Sequence, residues 1–241
     1  MIVIPAMDLL GGRVVRLHRG DYDRVTVYGD DPAAVVAAYL DAGATWVHLV
    51  DLDGARDGRA TQAALVGSLL ARFGAALRLQ VGGGVRTLAQ VRAYREAGAS
   101  RVILGTRAAE DPAFVADAAA VVDVTVAVDA RDGKVATRGW TETTAVDAVA
   151  LAQDCVARGA RAVLYTDIAR DGTGDGPNAE ATERLARAVP GALVIASGGV
   201  GTLDHLRALA AREVIGAVVV GRALYEGAFT AREALAIGGR P

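Results

Sequence analysis

Residues 83–114, GGVRTLAQVRAYREAGASRVILGTRAAEDPAF, are written a second time as residues 198–229, GGVGTLDHLRALAAREVIGAVVVGRALYEGAF. At a constant offset of 115 the two 32-residue copies agree at eleven positions, among them Gly83/Gly198, Gly84/Gly199, Arg107/Arg222 and Phe114/Phe229. Each copy follows an apolar run, 77–81 or 193–196, and opens on a glycine pair. Each then continues as an amphipathic helical pattern and ends on a second apolar run, 102–104 or 218–220. Strand, glycine turn, helix and strand in that order make a β-helix-β crossover, whose two buried strands are parallel neighbours.

The pattern extends outward from this repeat. Short β-branched runs at 2–5, 47–50, 77–81, 102–104, 124–128, 162–165, 193–196 and 218–220 supply eight strand slots, separated by alanine-rich segments with apolar residues at helical spacing. Eight strand-helix units in 241 residues predict a single (β/α)8 barrel, an α/β TIM-barrel fold. Further echoes support a duplication: 43–52 matches 159–168, and Asp8, Gly12 and Val14 answer Asp129, Gly133 and Val135. The expectation is one domain of two half-barrels, about 1–120 and 121–241, joined through a helix with no Pro/Gly/Ser linker. The competing doubly wound sheet lacks its G-x-G-x-x-G fingerprint after the first strand.

Composition narrows the function classes. With 26 Lys+Arg against 28 Asp+Glu there is no basic surplus to attract nucleic acid, and no apolar run approaches the roughly 18 residues of a membrane span. The start, MIVIPAMDLL, has no signal-peptide pattern, and the single Cys155 can form no internal disulfide, so a cytoplasmic location and a monomer are expected. No His/Cys/carboxylate cluster has metal spacing, and no cofactor is expected.

In such a barrel the active site lies at the C-terminal ends of the strands, so polar residues that close an apolar run are the candidates. These are Asp8, Asp51, Asp129, Thr166 and Asp167, with Asp171 just beyond the sixth strand. Asp8 and Asp129 end strands one and five, which face each other, and paired carboxylates a substrate apart suit general acid-base chemistry. A strand-ending Asp equally caps the loop or helix that follows, and for Asp51 and Asp167 the two readings weigh about the same. Gly82, Gly83, Gly84, Gly105 and Thr106 follow strands three and four, while Gly198, Gly199, Gly221 and Arg222 follow strands seven and eight. Backbone amides at such turns make a phosphate cradle. Two cradles half a barrel apart predict a small-molecule substrate with a phosphate at each end. Residues 11–31, holding Arg13, Arg16, Arg19 and Tyr22, are long enough for a lid or for a plain surface loop. Trp140 is placed to stack on a flat heterocycle, and His48, inside strand two, is a substrate contact or a satisfied core residue.

The motifs IPAMDLLGGRVVRLHRGDYD, HLVDLDGA, QVGGGVR, VDARDGKVATRGW, TDIARDGTGDGPN and ASGGV together resemble the phosphoribosylformimino-aminoimidazole-carboxamide ribotide isomerases of histidine biosynthesis, along essentially the whole chain. What the resemblance implies is an Amadori rearrangement, in which an aminoaldose ribosyl phosphate becomes an aminoketose. By the family pattern Asp8 is the base and Asp129 the acid, with Thr166 and Asp171 contesting the donor role. Arg16, His48, Gly172 and the cradle residues contact substrate, and Trp140 stacks on the aminoimidazole. The cyclase of the same pathway carries a lysine where this chain has Arg16. The bifunctional relative that also isomerises phosphoribosyl-anthranilate carries a serine where Val81-Gly82 stand, although Arg138 is a feature shared with it. A non-catalytic sugar-phosphate-binding barrel would have lost its carboxylates.

Overall fold

The computed structural model describes residues 1–18 and 20–239. Its strands, in chain order, are β1 (Ile2–Leu10), β2 (Arg13–His18), β3 (Asp21–Gly29), β4 (Trp46–Asp51), β5 (Arg78–Gly82), β6 (Arg101–Leu104), β7 (Asp123–Arg131), β8 (Lys134–Thr137), β9 (Glu142–Asp147), β10 (Ala162–Asp167), β11 (Leu193–Ser197) and β12 (Ala217–Val220). The helices are α1 (Pro32–Asp41), α2 (Leu52–Asp57), α3 (Ala63–Phe73), α4 (Leu88–Glu96), α5 (Thr106–Glu110), α6 (Ala113–Ala119), α7 (Ala148–Ala157), α8 (Ala179–Ala188), α9 (Leu203–Ala210), α10 (Arg222–Tyr225) and α11 (Ala231–Ile237). All eight expected strand slots are occupied. Strands β1, β4, β5, β6, β7, β10, β11 and β12 pair in parallel in that order, and β12 returns to β1 with Ile2 opposite Ala217. The sheet closes on itself, which makes a (β/α)8 barrel rather than an open doubly wound sheet.

Strand alternation decides what faces inward. In β1 the inward column is Ile4, Ala6, Asp8; in β7 it is Thr125, Ala127, Asp129; in β10, Ala162, Leu164, Thr166. Ile4, Ala6, Trp46, Ala162, Leu164, Ile195, Ala217 and Val219 fill the barrel, and the opposite faces of the strands pack on the helices. The β1 and β10 columns are therefore apolar low in the barrel and polar at the top, while that of β7 begins on the buried Thr125 and ends on a carboxylate.

The repeated helices are set by the same local chemistry. Thr87 and Thr202 cap α4 and α9, each accepting from the backbone N–H three residues on, and the equivalent Val91 and Leu206 are fully buried. Burial of each such side chain contributes about 1.5–3 kcal/mol. The constant offset of 115 holds only that far. The connection from α9 to β12 is longer than that from α4 to β6, so Gly105 aligns with Gly221 and Thr106 with Arg222, each pair as N-cap and first helical residue. The Arg107/Arg222 coincidence in the sequence is not a structural equivalence.

Two hairpins break the simple strand-helix alternation. The chain turns back after β1 at Gly11-Gly12 and after β7 at Asp132-Gly133, all four with positive φ, and β2 and β8 pair antiparallel to β1 and β7. Positive φ at both central residues is the turn geometry that suits the twist of a tight hairpin. The long connection 11–31, expected as a lid or a plain surface loop, carries a β-ribbon, β2 and β3; Arg19 lies outside the described residues. Cys155 is fully buried on α7 among the core side chains, its thiol pushed up to about 12 by burial. Among the described residues no helix is long and apolar enough to cross a membrane.

Candidate active site

At the C-terminal end of the strands lies a cavity of about 210 Å³, and beside it a chamber of about 30 Å³. The large cavity is lined by Asp8, Arg16, His48, Gly83, Gly84, Gly105, Thr106, Asp129, Trp140, Thr166 and Asp171. The small one is lined by Gly172, Gly198, Gly199, Gly221 and Arg222, and shares Arg16 and Asp171 with its neighbour. Asp8, Asp129, Thr166, Asp171, Arg16, His48, Trp140 and the glycine-turn residues thus all line one of the two. The two glycine turns face different spaces, and the Arg16–Asp171 contact lies in the wall between them.

The carboxylates sit in contrasting surroundings. Asp8 tops the inward column of β1. The Gly11-Gly12 turn folds β2 back so that Arg16 Nη1 donates to Asp8 Oδ2 at 2.6 Å, while Nη2 donates to Asp171 Oδ1 at 3.1 Å. Burial raises the Asp8 pKa above the usual carboxylate range; Arg16 opposes that rise and the charge on Asp171 adds to it. Asp129 is also raised by burial, against hydrogen bonds from the Trp140 indole and the Thr166 hydroxyl. Thr166 reaches it because β10 pairs with β7 with Thr166 directly beside Asp129. Two carboxyls, Asp8 buried and Asp129 partly buried, both with pKa values raised by desolvation and both lining the cavity, are what general acid-base work at neutral pH requires.

Asp51 and Asp167 resolve to the other reading. Asp51 accepts from the N–H groups of Gly54 and Gln62, both at under 3 Å, and Asp167 accepts from Ala169 N–H and the Asn178 amide. Both are turn and cap residues and neither lines the cavity.

Sequence reasoning missed three further lining or supporting residues. Gln80 lies beside His48 on β5 and its amide nitrogen is 2.8 Å from His48 Nδ1; a glutamine inside the apolar run LRLQV was the available signal. Ser197 closes β11 and lines both spaces. Gly20 lies against the Trp140 ring: a Cβ there would be 2.5 Å from Cε3. Trp140 itself holds a positive φ of 71°, so the two hairpins meet over the cavity through a strained residue, as functional sites often do. Arg138 pairs with Glu142 at 3.0 Å and lies beside Glu110, outside the cavity lining. Among the described residues no three His, Cys, Asp or Glu side chains are grouped to hold a metal ion.

His48 offers a pH test. Burial, with Arg16 nearby, lowers its pKa from 6.5 to about 3, so the folded protein holds the imidazole neutral. A depressed pKa contributes stability that is complete above about 6.5 and is lost as pH falls toward the folded value, at about 1.4 kcal/mol per pH unit. Urea unfolding at pH 7 and pH 5 should therefore show about 2 kcal/mol of pH-dependent loss in the wild type that His48→Asn lacks. An equal loss in both proteins would assign the acid sensitivity elsewhere.

A family model described as Histidine biosynthesis protein matches residues 2–230. The chain is 52% identical over 238 residues to the 1-(5-phosphoribosyl)-5-((5-phosphoribosylamino)methylideneamino) imidazole-4-carboxamide isomerase of Sorangium cellulosum, covering 98% of each chain. It is 50% identical over 238 residues to the protein of the same name from Roseiflexus castenholzii, covering 98% of this chain and 99% of that one. It is likewise 50% identical over 237 residues to that of Paracoccus denitrificans, covering 98% of each. With the match running through every barrel strand and both hairpins, the chain belongs to the histidine biosynthesis protein family.

Proposed function

We propose that the chain is an intramolecular aldose-ketose isomerase that converts the phosphoribosylformimino-aminoimidazole-carboxamide ribotide into its phosphoribulosyl form. One observation supports the reading: two desolvated carboxyls, Asp8 buried and Asp129 partly buried, rise from different barrel strands, and the spaces around them end on the repeated glycine turns. The names of relatives at 50% identity over nearly the whole chain point to the same reaction.

The rearrangement needs a proton delivered to the ribose ring oxygen, which opens the ring to a Schiff base. It then needs a proton removed from C2, and the resulting enol-amine settles as the ketose. Asp8 takes the C2 proton. Asp129, which burial keeps toward its protonated form, is the donor to the ring oxygen, and Thr166 orients it. Asp171, held by Arg16 at the wall of both chambers, is the competing donor. One phosphate seats at Gly83, Gly84, Gly105 and Thr106, and the other at Gly172, Gly198, Gly199, Gly221 and Arg222. Trp140 stacks on the imidazole, with His48 contacting substrate from the barrel floor. All these groups come from one chain, so the proposed reaction needs no second subunit, and a monomer in the cytoplasm is the proposed form.

The deciding experiment follows absorbance on adding the formimino ribotide to purified protein, with phosphoribosyl-anthranilate run beside it. Turnover of the ribotide alone is the expected result, since Arg138 is engaged outside the cavity. Equal turnover of both would make the enzyme bifunctional, and no turnover of either would remove the isomerase reading.

A further inference from the structure

Arg16 is the residue through which the small chamber touches the base. Its guanidinium is partly buried, lines both spaces, and joins Asp8 at 2.6 Å to Asp171 at 3.1 Å. Among its nitrogens Nε is buried and has no hydrogen-bond partner. The other arginine lining the small chamber is already engaged, with Arg222 Nε on Glu226 at 2.6 Å and Nη1 on the Gly172 carbonyl. Gly221 leaves room beside Arg16, since a Cβ at that position would lie 3.2 Å from Nη1. An anion entering this chamber therefore meets Arg16 as a cation with an unpaired N–H.

We propose that Arg16 is a phosphate-operated clamp on Asp8: a phosphate monoester seated in the small chamber draws the guanidinium away from Asp8, releasing that carboxylate to act as a base. The proposal rests on the two-phosphate reading of the site. Arg16 favours a phosphate because the planar guanidinium can meet phosphate oxygens with two parallel N–H groups, and a dianion attracts it more strongly than one carboxylate at equal distance. The Asp171 contact can persist, so the guanidinium pivots and is not expelled. A carboxylate buried without its cation is a stronger base than one held in an ion pair. Binding energy from a phosphate that takes no part in bond making thus goes into readying the proton transfer. In the phosphate-free enzyme the same clamp keeps Asp8 compensated in its buried position.

Linkage makes this testable with inorganic phosphate alone, since a phosphate that breaks the Arg16–Asp8 pair binds more tightly when the pair is already gone. Calorimetric titration of phosphate into Asp8→Asn should show one of its sites tightened at least about 5-fold relative to wild type. Asp129→Asn, which also removes a cavity carboxylate but not one paired with Arg16, should leave that site unchanged. Unaltered affinity in Asp8→Asn, or equal tightening in both variants, overturns the clamp. A second reading uses the wild-type protein: the Arg16 Nε–H resonance, identified by its loss in Arg16→Lys, should move on saturation with phosphate, and an unmoved resonance is equally contrary. Ribotide turnover is scored separately. A silent phosphate titration with intact turnover removes the clamp alone, whereas a tightened site without turnover removes the isomerase reading alone.

Discussion

Asp8→Asn is expected to lower kcat for the formimino ribotide by about 10²- to 10⁴-fold, the range over which a positioned general base contributes. Asn keeps the shape of the side chain but loses the charge that pairs with Arg16, so what is removed is basicity at the head of the β1 column. The loss should come without unfolding. A carboxyl whose folded pKa lies above its unfolded value contributes stability below the unfolded pKa and loses it as pH rises through the folded value. The raised pKa of Asp8 therefore makes its ionised form unfavourable to the fold at neutral pH, and Asn carries no charge at any pH. Circular dichroism melting should give a Tm at or above that of wild type while stopped assays show the lost turnover. Near wild-type kcat in a folded Asp8→Asn protein would end the proposed mechanism, whatever the fold. The donor is assigned in the same series: Asp129→Asn should be as damaging, and a larger loss in Asp171→Asn would move proton delivery to the wall between the chambers.

The residues that were legible are those whose role follows from periodicity. Runs such as 102–104 and 218–220 are buried on both faces, so their apolarity is continuous and their identity as barrel strands could be read directly. Asp8 and Asp129 could be found because an Asp that ends such a run stands at the top of the barrel. The hairpins were missed for a different reason. Gly11-Gly12 and Asp132-Gly133 are tight-turn signals, but β3 and β9 are mostly exposed and carry no apolar alternation to reveal them as strands. Contacts between distant segments were illegible in principle. Nothing local to Gly20 says that a tryptophan ring will lie on it, and nothing near Arg222 says that its guanidinium will be held by the Gly172 carbonyl. Asp51 could be read as a cap or as a site residue until Gln62, eleven residues on, was seen to donate to it.

The glycine pairs were read as phosphate turns, yet Gly83 also meets a packing demand that predicts the largest stability loss in the chain. Its φ is +99°, and a Cβ built there would lie 2.0 Å from the Asp51 carbonyl oxygen and under 3 Å from the Asp51 backbone nitrogen. The obstacle is main chain and cannot rotate aside. Asp51 is itself fixed, because its side chain accepts from Gly54 and Gln62 where α2 begins. Gly83→Ala must therefore displace the β5 turn or the end of β4 while holding an L side chain at a positive φ, two effects that act together. The expected loss is about 4 kcal/mol or more, among the most severe single substitutions and a large part of an ordinary folding free energy. At this chain length that lowers Tm by roughly 10 °C, with phosphate affinity falling as the turn is displaced. The same substitution at Gly67, within α3 and with nothing within 4 Å of its would-be Cβ, should raise stability by about 0.5–1 kcal/mol. Parallel urea titrations compare the two directly. Should Gly83→Ala unfold at the wild-type midpoint, the close approach of β5 to Asp51 is not what requires glycine, and backbone binding of the substrate phosphate becomes the surviving reason for the residue.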